Sequence, residues 1–417
     1  MNNTYRIISG DIRANNNSYI TGINNHDLIV GASGSGKTRS YVKPNISCID
    51  ESFIVADTKG NLYYEFKDSL ERRGFDVELI DMVIPANSTI GYNPLDFIHY
   101  DEDGLSLEED IIKLASTMVR NSAKDDPIWS NMARSYIEML ISFVMDFARR
   151  DEHNLNEVNR IAKYIGSPYL KRILAEATET MPDGLVSTRL CMTESIAAAD
   201  KFVSSIAGFV HDTLKDYVSS FANYLYTRDD RIDFKRLGET KTALFVHISD
   251  TDKSQYPLVS LMYSQALQEL VAEADNNTNS ALDVPVRLFL DDFASFANGV
   301  ISNFPQLISV IRSRNISVSI MIQSIAQLKS SYGPYDTQTI LDNCETQVFL
   351  GSQSTETASY FAIKCNKPLS QVLEMPLDQS LVFVRGTKPR MVNKYSNNSL
   401  SYPITSRESN NYKERTR

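Results

Sequence analysis

Cysteine is scarce in this chain, four in 417 residues, and Cys48, Cys191, Cys344 and Cys365 stand far apart with no CxxC pair or Cys/His cluster. That spacing excludes a zinc ribbon or a disulfide framework and fits a reduced interior. His26, His99, His153, His211 and His247 are equally scattered and show no metal-ligand spacing. Long apolar runs are missing as well. The best, Ile137 to Met145, is interrupted by Glu138 and followed by Asp146, whereas a bilayer-spanning helix needs about 20 apolar residues. The opening Met1-Asn2-Asn3-Thr4 leads into polar, Asn-rich sequence and not into an export leader, so a soluble, cytoplasmic chain is expected. Positive charge is in deficit, 42 Lys and Arg against 52 Asp and Glu, for a net charge of −10. Affinity for phosphate backbones comes largely from Lys and Arg, so any contact with nucleic acid must be local.

Against these absences stands one dense motif. Residues 31–38 read Gly-Ala-Ser-Gly-Ser-Gly-Lys-Thr, a full match to the loop in which glycine-rich backbone amides cradle phosphates and a lysine and a hydroxyl complete the site. His26 to Val30 before it reads as a short buried strand, and Ser40 to Ile49 after it as a helix. Phosphates would then meet the positive end of that helix and its free N–H groups. Gly31, Ser33, Gly34, Ser35 and Gly36 shape the cradle, Lys37 reaches the terminal phosphates, and Thr38 ligates Mg²⁺. ATP with Mg²⁺ is the expected ligand.

Further strands are expected at Ser52–Ala56, Val77–Ile80, Thr242–Ile248, Val286–Asp292, Ile316–Ile322 and Thr346–Leu350, with helices between them. Strands alternating with helices predict an α/β domain with a mostly parallel sheet covered on both faces. Between Leu105 and Arg236 the texture changes. Apolar residues recur at helical period there, as in Ile111, Ile112, Ala115, Met118 and Val119, and the segment carries more acidic than basic residues. The expected organisation is a nucleotide-binding domain in two parts, 1–102 and 239–395, interrupted by an all-α domain at 103–238 and followed by a polar tail at 396–417, which composition leaves solvated.

An apolar strand ending in Asp291-Asp292 fits the second half of a nucleotide site, with Asp291 in the metal shell and Asp292 polarising the attacking water. Gln323 follows a strand in the manner of a γ-phosphate sensor, although an exposed Gln at a strand end is equally common. Arg312 and Arg314 could stabilise charge on a neighbouring subunit's nucleotide or serve as solvated cations at a helix end. Asp57 and Lys59 fall on the strand edge where ligands bind in open α/β sheets. Trp129 reads as helical-domain core ahead of a base-stacking platform.

Taken together, these residues resemble the type IV coupling proteins, hexameric ATPases that feed DNA and proteins into conjugation and type IV secretion channels. The resemblance rests on the 31–38 loop, Asp57-Thr58-Lys59-Gly60, Tyr92-Asn93-Pro94-Leu95, Asp126-Pro127-Ile128-Trp129, Leu290-Asp291-Asp292-Phe293, Ile322-Gln323-Ser324-Ile325-Ala326-Gln327-Leu328 and Asn343-Cys344-Glu345-Thr346. Thr58 and Asp292 stand where the family usually has Pro and Glu. The resemblance implies a RecA-like motor domain with a helical insertion that recognises the transferred nucleoprotein. It also implies a homo-hexamer when active, and as partners single-stranded DNA, a relaxase or relaxosome, the secretion channel and membrane-anchoring proteins. Many members begin with transmembrane helices, but only about 25 residues precede the first expected strand here, so anchoring at the inner face of the membrane is expected to come from a partner or from a segment outside this sequence. The rival readings are a duplex DNA translocase of the FtsK or HerA kind and a docking adaptor that binds ATP with little turnover. No Asn-Lys-x-Asp of a guanine-reading GTPase is present, since Asn366-Lys367-Pro368-Leu369 and Asn393-Lys394-Tyr395-Ser396 lack the aspartate.

Overall fold

The computed structural model describes residues 5–119, 127–196, 200–293 and 301–396, which fall into two compact units. The first unit takes residues 1–50, 289–294 and 317–417. It opens with an antiparallel hairpin of β1 (Tyr5–Ser9) and β2 (Ile12–Asn15), followed by β3 (Asp27–Val30). Two strands therefore lie ahead of the one read from sequence as the first. Strand β3 is buried along its whole length, because parallel neighbours flank it on both sides and both faces are covered. Those neighbours are β8 (Ile316–Ile322) and β9 (Thr346–Phe349), in a register that sets Val30 beside both Ile322 and Phe349. An antiparallel pair, β10 (Gln379–Val384) and β11 (Arg390–Asn393), extends the sheet to give the order β11-β10-β9-β3-β8.

A buried polar cluster fixes the strand that carries the 31–38 loop. Asp27 accepts from Arg6 Nε at 2.7 Å and Nη2 at 2.9 Å and from the Tyr41 hydroxyl, while Asn45 bonds both the N–H and the carbonyl of Ile7 at 2.8 Å. Strand β1, strand β3 and the helix after the loop are thereby tied together by groups that burial would penalise if left unpaired.

The second unit, residues 51–288 and 295–316, holds β4 (Ser52–Asp57), β5 (Asp76–Asp81), β6 (Thr242–His247) and most of β7 (Val286–Leu290), in the order β7-β4-β6-β5. Strands β4, β6 and β5 are parallel, and aromatic residues on and just before them interlock: Phe53 meets Phe245 at 5.6 Å between ring centroids and Phe75, which precedes β5, at 6.2 Å. Among the described residues between β5 and β6, every element beyond isolated bridges is helical. The longest of these helices, Pro127–Phe147, buries Ile137, Leu140, Ile141 and Val144 along one stripe. Near its start Trp129 stacks on Phe209 at 5.8 Å and packs on Phe202 at 4.9 Å, a half-buried aromatic cluster within the helical segment, and Asp126 beside it lies outside the described residues. Among the described residues no helix is long and apolar enough to cross a membrane.

The parallel register brings Asp57, His247 and Asp81 side by side at the carboxyl ends of β4, β6 and β5. Asp57 accepts from the N–H groups of Lys59 and Leu62, shaping the turn into the helix Leu62–Glu71. Gly60, at φ +66°, lies flat against the His247 ring, where a Cβ would come within 2.6 Å of it. The motif Asp57-Thr58-Lys59-Gly60 is thus accounted for locally: a carboxylate caps the helix and a glycine makes room for an imidazole.

His247 Nδ1 is 3.0 Å from Asp81 Oδ1, and this bond, with the nearby charge of Asp57, raises the imidazole pKa above its ordinary value. A raised histidine contributes stability that is fully present below its unfolded value of about 6.5 and is lost as pH climbs through its folded value. Thermal midpoints measured from about pH 6 to about pH 9 should fall more steeply for the wild type than for His247→Gln. Parallel curves would show that the pair is electrostatically silent.

Candidate nucleotide site

The whole candidate site lies in the first unit, where the 31–38 loop leaves the end of β3. Backbone bonds pin its start: Gly31 N–H donates to Ile322 O at 3.1 Å and Ala32 N–H to Gly351 O at 3.0 Å. A side chain at position 31 is excluded, since a Cβ there would lie 2.3 Å from Ser35 Oγ and 3.0 Å from Leu350 Cβ. Ser33 and Gly34 form the exposed tip. The chain then enters a wide π-turn, Thr38–Val42, closed by Lys43 N–H on Thr38 O, before continuing as the α-helix Lys43–Cys48. Such π-turns often mark functional positions in helices. The N–H groups of Gly36, Lys37 and Thr38 donate to no acceptor among the described residues, which is the arrangement an anion seat at a helix start requires.

Lys37 curls back over the loop, its Nζ donating to Gly31 O at 2.9 Å and to Ala32 O at 3.4 Å. Burial lowers its pKa, and the facing carboxylates of Asp291 and Asp292 pull the other way. Thr38 Oγ1 donates to Asp291 Oδ2 at 2.7 Å, joining residues 253 apart in sequence. Asp291 is buried, and that burial raises its pKa against the opposing pull of the Thr38 hydroxyl and Lys37. Its other oxygen accepts from Asp292 N–H at 3.0 Å. Asp292 sits at φ +55°, left-handed backbone in which Asp is tolerated better than longer side chains. Gln323, just past β8, donates from Nε2 to Asp292 Oδ1 at 3.0 Å.

Most of the residues singled out from sequence therefore converge. The loop, Lys37, Thr38, Asp291, Asp292 and Gln323 form one connected set through the bonds above. Arg312 and Arg314 belong to the second unit, and Arg314 is held there by Asp275, Nε at 2.8 Å and Nη2 at 3.1 Å. Sequence reasoning missed Lys394, one residue past β11, whose Nζ donates to Ser35 O in the loop at 2.9 Å and to Leu350 O at 2.9 Å. It also missed Tyr332, whose ring stacks on Phe293 at 5.5 Å and 14°, supporting the segment that bears Asp291 and Asp292. No local pattern announces either residue.

The chemistry of the set is legible without a ligand. A hydroxyl and a carboxylate 2.7 Å apart are hard oxygen donors of the kind Mg²⁺ takes. An amide-lined seat with a lysine beside it suits phosphate, and a carboxylate held by an amide suits positioning of a nucleophile.

A family model described as type IV secretory system conjugative DNA transfer matches residues 2–367. The chain belongs to the type IV coupling protein family. Among curated relatives of this coupling protein, the protein VirD4 of Rhizobium radiobacter is 22% identical over 350 residues, covering 83% of this chain and 48% of its own length. VirD4 of Rhizobium rhizogenes is 21% identical over 373 residues, covering 88% and 53%. The chain thus spans about half the length of the curated relatives it matches. Its fold resembles the conjugative coupling protein TrwBdeltaN70 in complex with sulphate, at TM-score 0.66, 14% identity and coverage of 89% of this chain and 85% of that one. It also resembles the plasmid coupling protein TrwB in complex with ADP and Mg²⁺, at TM-score 0.65, 15% identity and the same coverage. The coupling protein is thereby a RecA-like α/β P-loop NTPase in fold.

Proposed function

We propose that this coupling protein hydrolyses ATP at the 31–38 loop and uses turnover to drive single-stranded DNA, delivered as a relaxase–DNA complex, into a type IV secretion channel. The observation that carries the reading is the Thr38–Asp291 bond at 2.7 Å, which joins the phosphate loop to the strand-end carboxylates. The family supports the transfer role, and TrwB complexes with ADP and Mg²⁺ and with an ATP analogue support the ligand.

In this reading the Gly31–Gly36 loop and Lys37 hold the phosphates, while Thr38 and Asp291 supply oxygens to Mg²⁺. When bound, that ion neutralises charge developing on the transferred phosphoryl group. Asp292 orients the attacking water and accepts its proton, and Gln323, bonded to Asp292, faces the γ-phosphate. Arg312 and Arg314 act on a neighbouring subunit's nucleotide, which requires Arg314 to leave Asp275. The helical segment 103–238 receives the cargo, the active form is a homo-hexamer, and a partner holds the protein at the inner face of the membrane.

Steady-state ATPase with and without single- or double-stranded DNA tests this. Wild type should turn over ATP and be stimulated by single strands, and Lys37→Ala should lose turnover by at least about 10²-fold through loss of phosphate contacts. Stimulation by duplex alone would point to a duplex translocase. Tight ATP binding without turnover would point to a docking adaptor, a reading that the left-handed backbone and shorter carboxylate at Asp292 keep in play.

A further inference from the structure

Lys394 is 359 residues from Ser35 in sequence yet its ammonium bridges the Ser35 and Leu350 carbonyl oxygens, 2.9 Å from each. Leu350 is itself anchored, since its N–H donates to Val30 O at 2.7 Å at the end of β3. Lys394 thus ties the underside of the phosphate loop to the fixed end of β9. Its ammonium is partly withdrawn from water, and burial, with Arg39 nearby, lowers its pKa against the pull of Asp378.

The consequence lies in the peptide that Lys394 grips. The Ser35 carbonyl and the Gly36 N–H are opposite ends of one planar, trans unit and point in opposite directions. Holding the oxygen on Lys394 therefore turns the Gly36 N–H to the other side of the strand of chain, where it donates to nothing among the described residues. Left alone, that orientation would be weakly specified. The peptide turns about Ser35 ψ and Gly36 φ, and Gly36 stands at φ +95°, where a glycine tolerates rotation that other residues resist. A cation on the carbonyl also polarises the unit, making its N–H a stronger donor.

We propose that Lys394 is a positioning residue for nucleotide binding, acting through the Ser35–Gly36 peptide to keep the Gly36 N–H aimed at the phosphate. This rests on the reading of residues 31–38 as a phosphate seat. Lys394 itself touches the loop from behind and does not touch the ligand.

The test uses the full chain with Lys394→Met and Lys394→Arg, titrated calorimetrically with ADP and with inorganic pyrophosphate in the presence of Mg²⁺. Lys394→Met should weaken both ligands by the same factor, about tenfold, as expected for loss of one charge-assisted bond. Its nucleotide-free thermal midpoint should stay at the wild-type value. Lys394→Arg, which keeps the cation, should bind both ligands within about threefold of wild type. If Lys394→Met does not fold, Lys394→Gln takes its place with the same expected loss. Binding at wild-type strength in the neutral variant overturns the proposal, as does a lowered midpoint with binding unchanged. Weakening of ADP alone also overturns it, because that would place Lys394 against the nucleoside. A wild type that binds neither ligand would sink the phosphate-seat reading itself, an outcome distinct from failure of the variant.

Discussion

Asp292→Asn should lower ATP turnover by about 10²–10⁴-fold, the usual contribution of a positioned general base, while leaving the affinity for ATP within a few-fold of wild type. The substitution isolates proton acceptance from everything else at that position. Asn is as well suited as Asp to the φ of +55° there, and its carbonyl oxygen can still accept from Gln323 Nε2, now 3.0 Å from Asp292 Oδ1. The loop, Lys37 and the Thr38–Asp291 bond are untouched. Steady-state kinetics beside a binding titration reads both quantities. Turnover retained in Asp292→Asn would remove this carboxylate from the chemistry and leave the strand end with a purely structural role.

The same residue illustrates how far the sequence could be read. As a letter, Asp292 is a shortened version of the family's usual Glu. In the fold it occupies left-handed backbone and accepts an amide from a strand-end glutamine, so residue type and backbone geometry are matched in a way no sequence window displays. The parallel strands were legible because burial on both faces writes them as apolar runs: Leu28, Ile29 and Val30, or Phe53 to Ala56, have almost no exposure. The helical segment after β5 was legible from its 3.6-residue period, and Trp129 packs there on Phe202 and Phe209, all three half-buried.

The antiparallel pairs were not legible. Strand β11 is Arg-Met-Val-Asn and largely exposed, and β2 has a single buried residue, so neither offers an alternation strong enough to mark a strand. Missing β11 meant missing Lys394, since only the pairing of β11 with β10, and of β10 with β9, brings the chain back to the phosphate loop. Long-range pairing of polar edge strands leaves almost no local trace. The motifs of the site were therefore clearer in the sequence than the scaffold that orients them.

Asp291→Asn should act in opposite directions on stability and on activity. Burial raises the Asp291 pKa despite the Thr38 hydroxyl and Lys37, so between its unfolded value of about 3.9 and its folded value the native state holds a proton that the unfolded chain releases. Stability consequently falls as pH rises through that window and stays lower above it. A neutral amide removes this cost. It also keeps the local bonding, with its oxygen accepting from Asp292 N–H and its NH₂ donating to a Thr38 hydroxyl that can reverse its role. The nucleotide-free variant should melt above wild type at neutral pH, and the gain should vanish near pH 4, below which the wild-type carboxyl is protonated in both states. Turnover in Mg²⁺ should meanwhile drop by at least about 10²-fold, since an amide is a poorer ligand for a hard divalent cation than a carboxylate. A variant that is less stable at neutral pH would show that the ionised Asp291 is structural, held by Lys37 and Thr38 for the fold. A variant that is more stable and inactive would show a carboxylate kept in the interior at a cost to the apo fold because metal-assisted phosphoryl transfer needs it there.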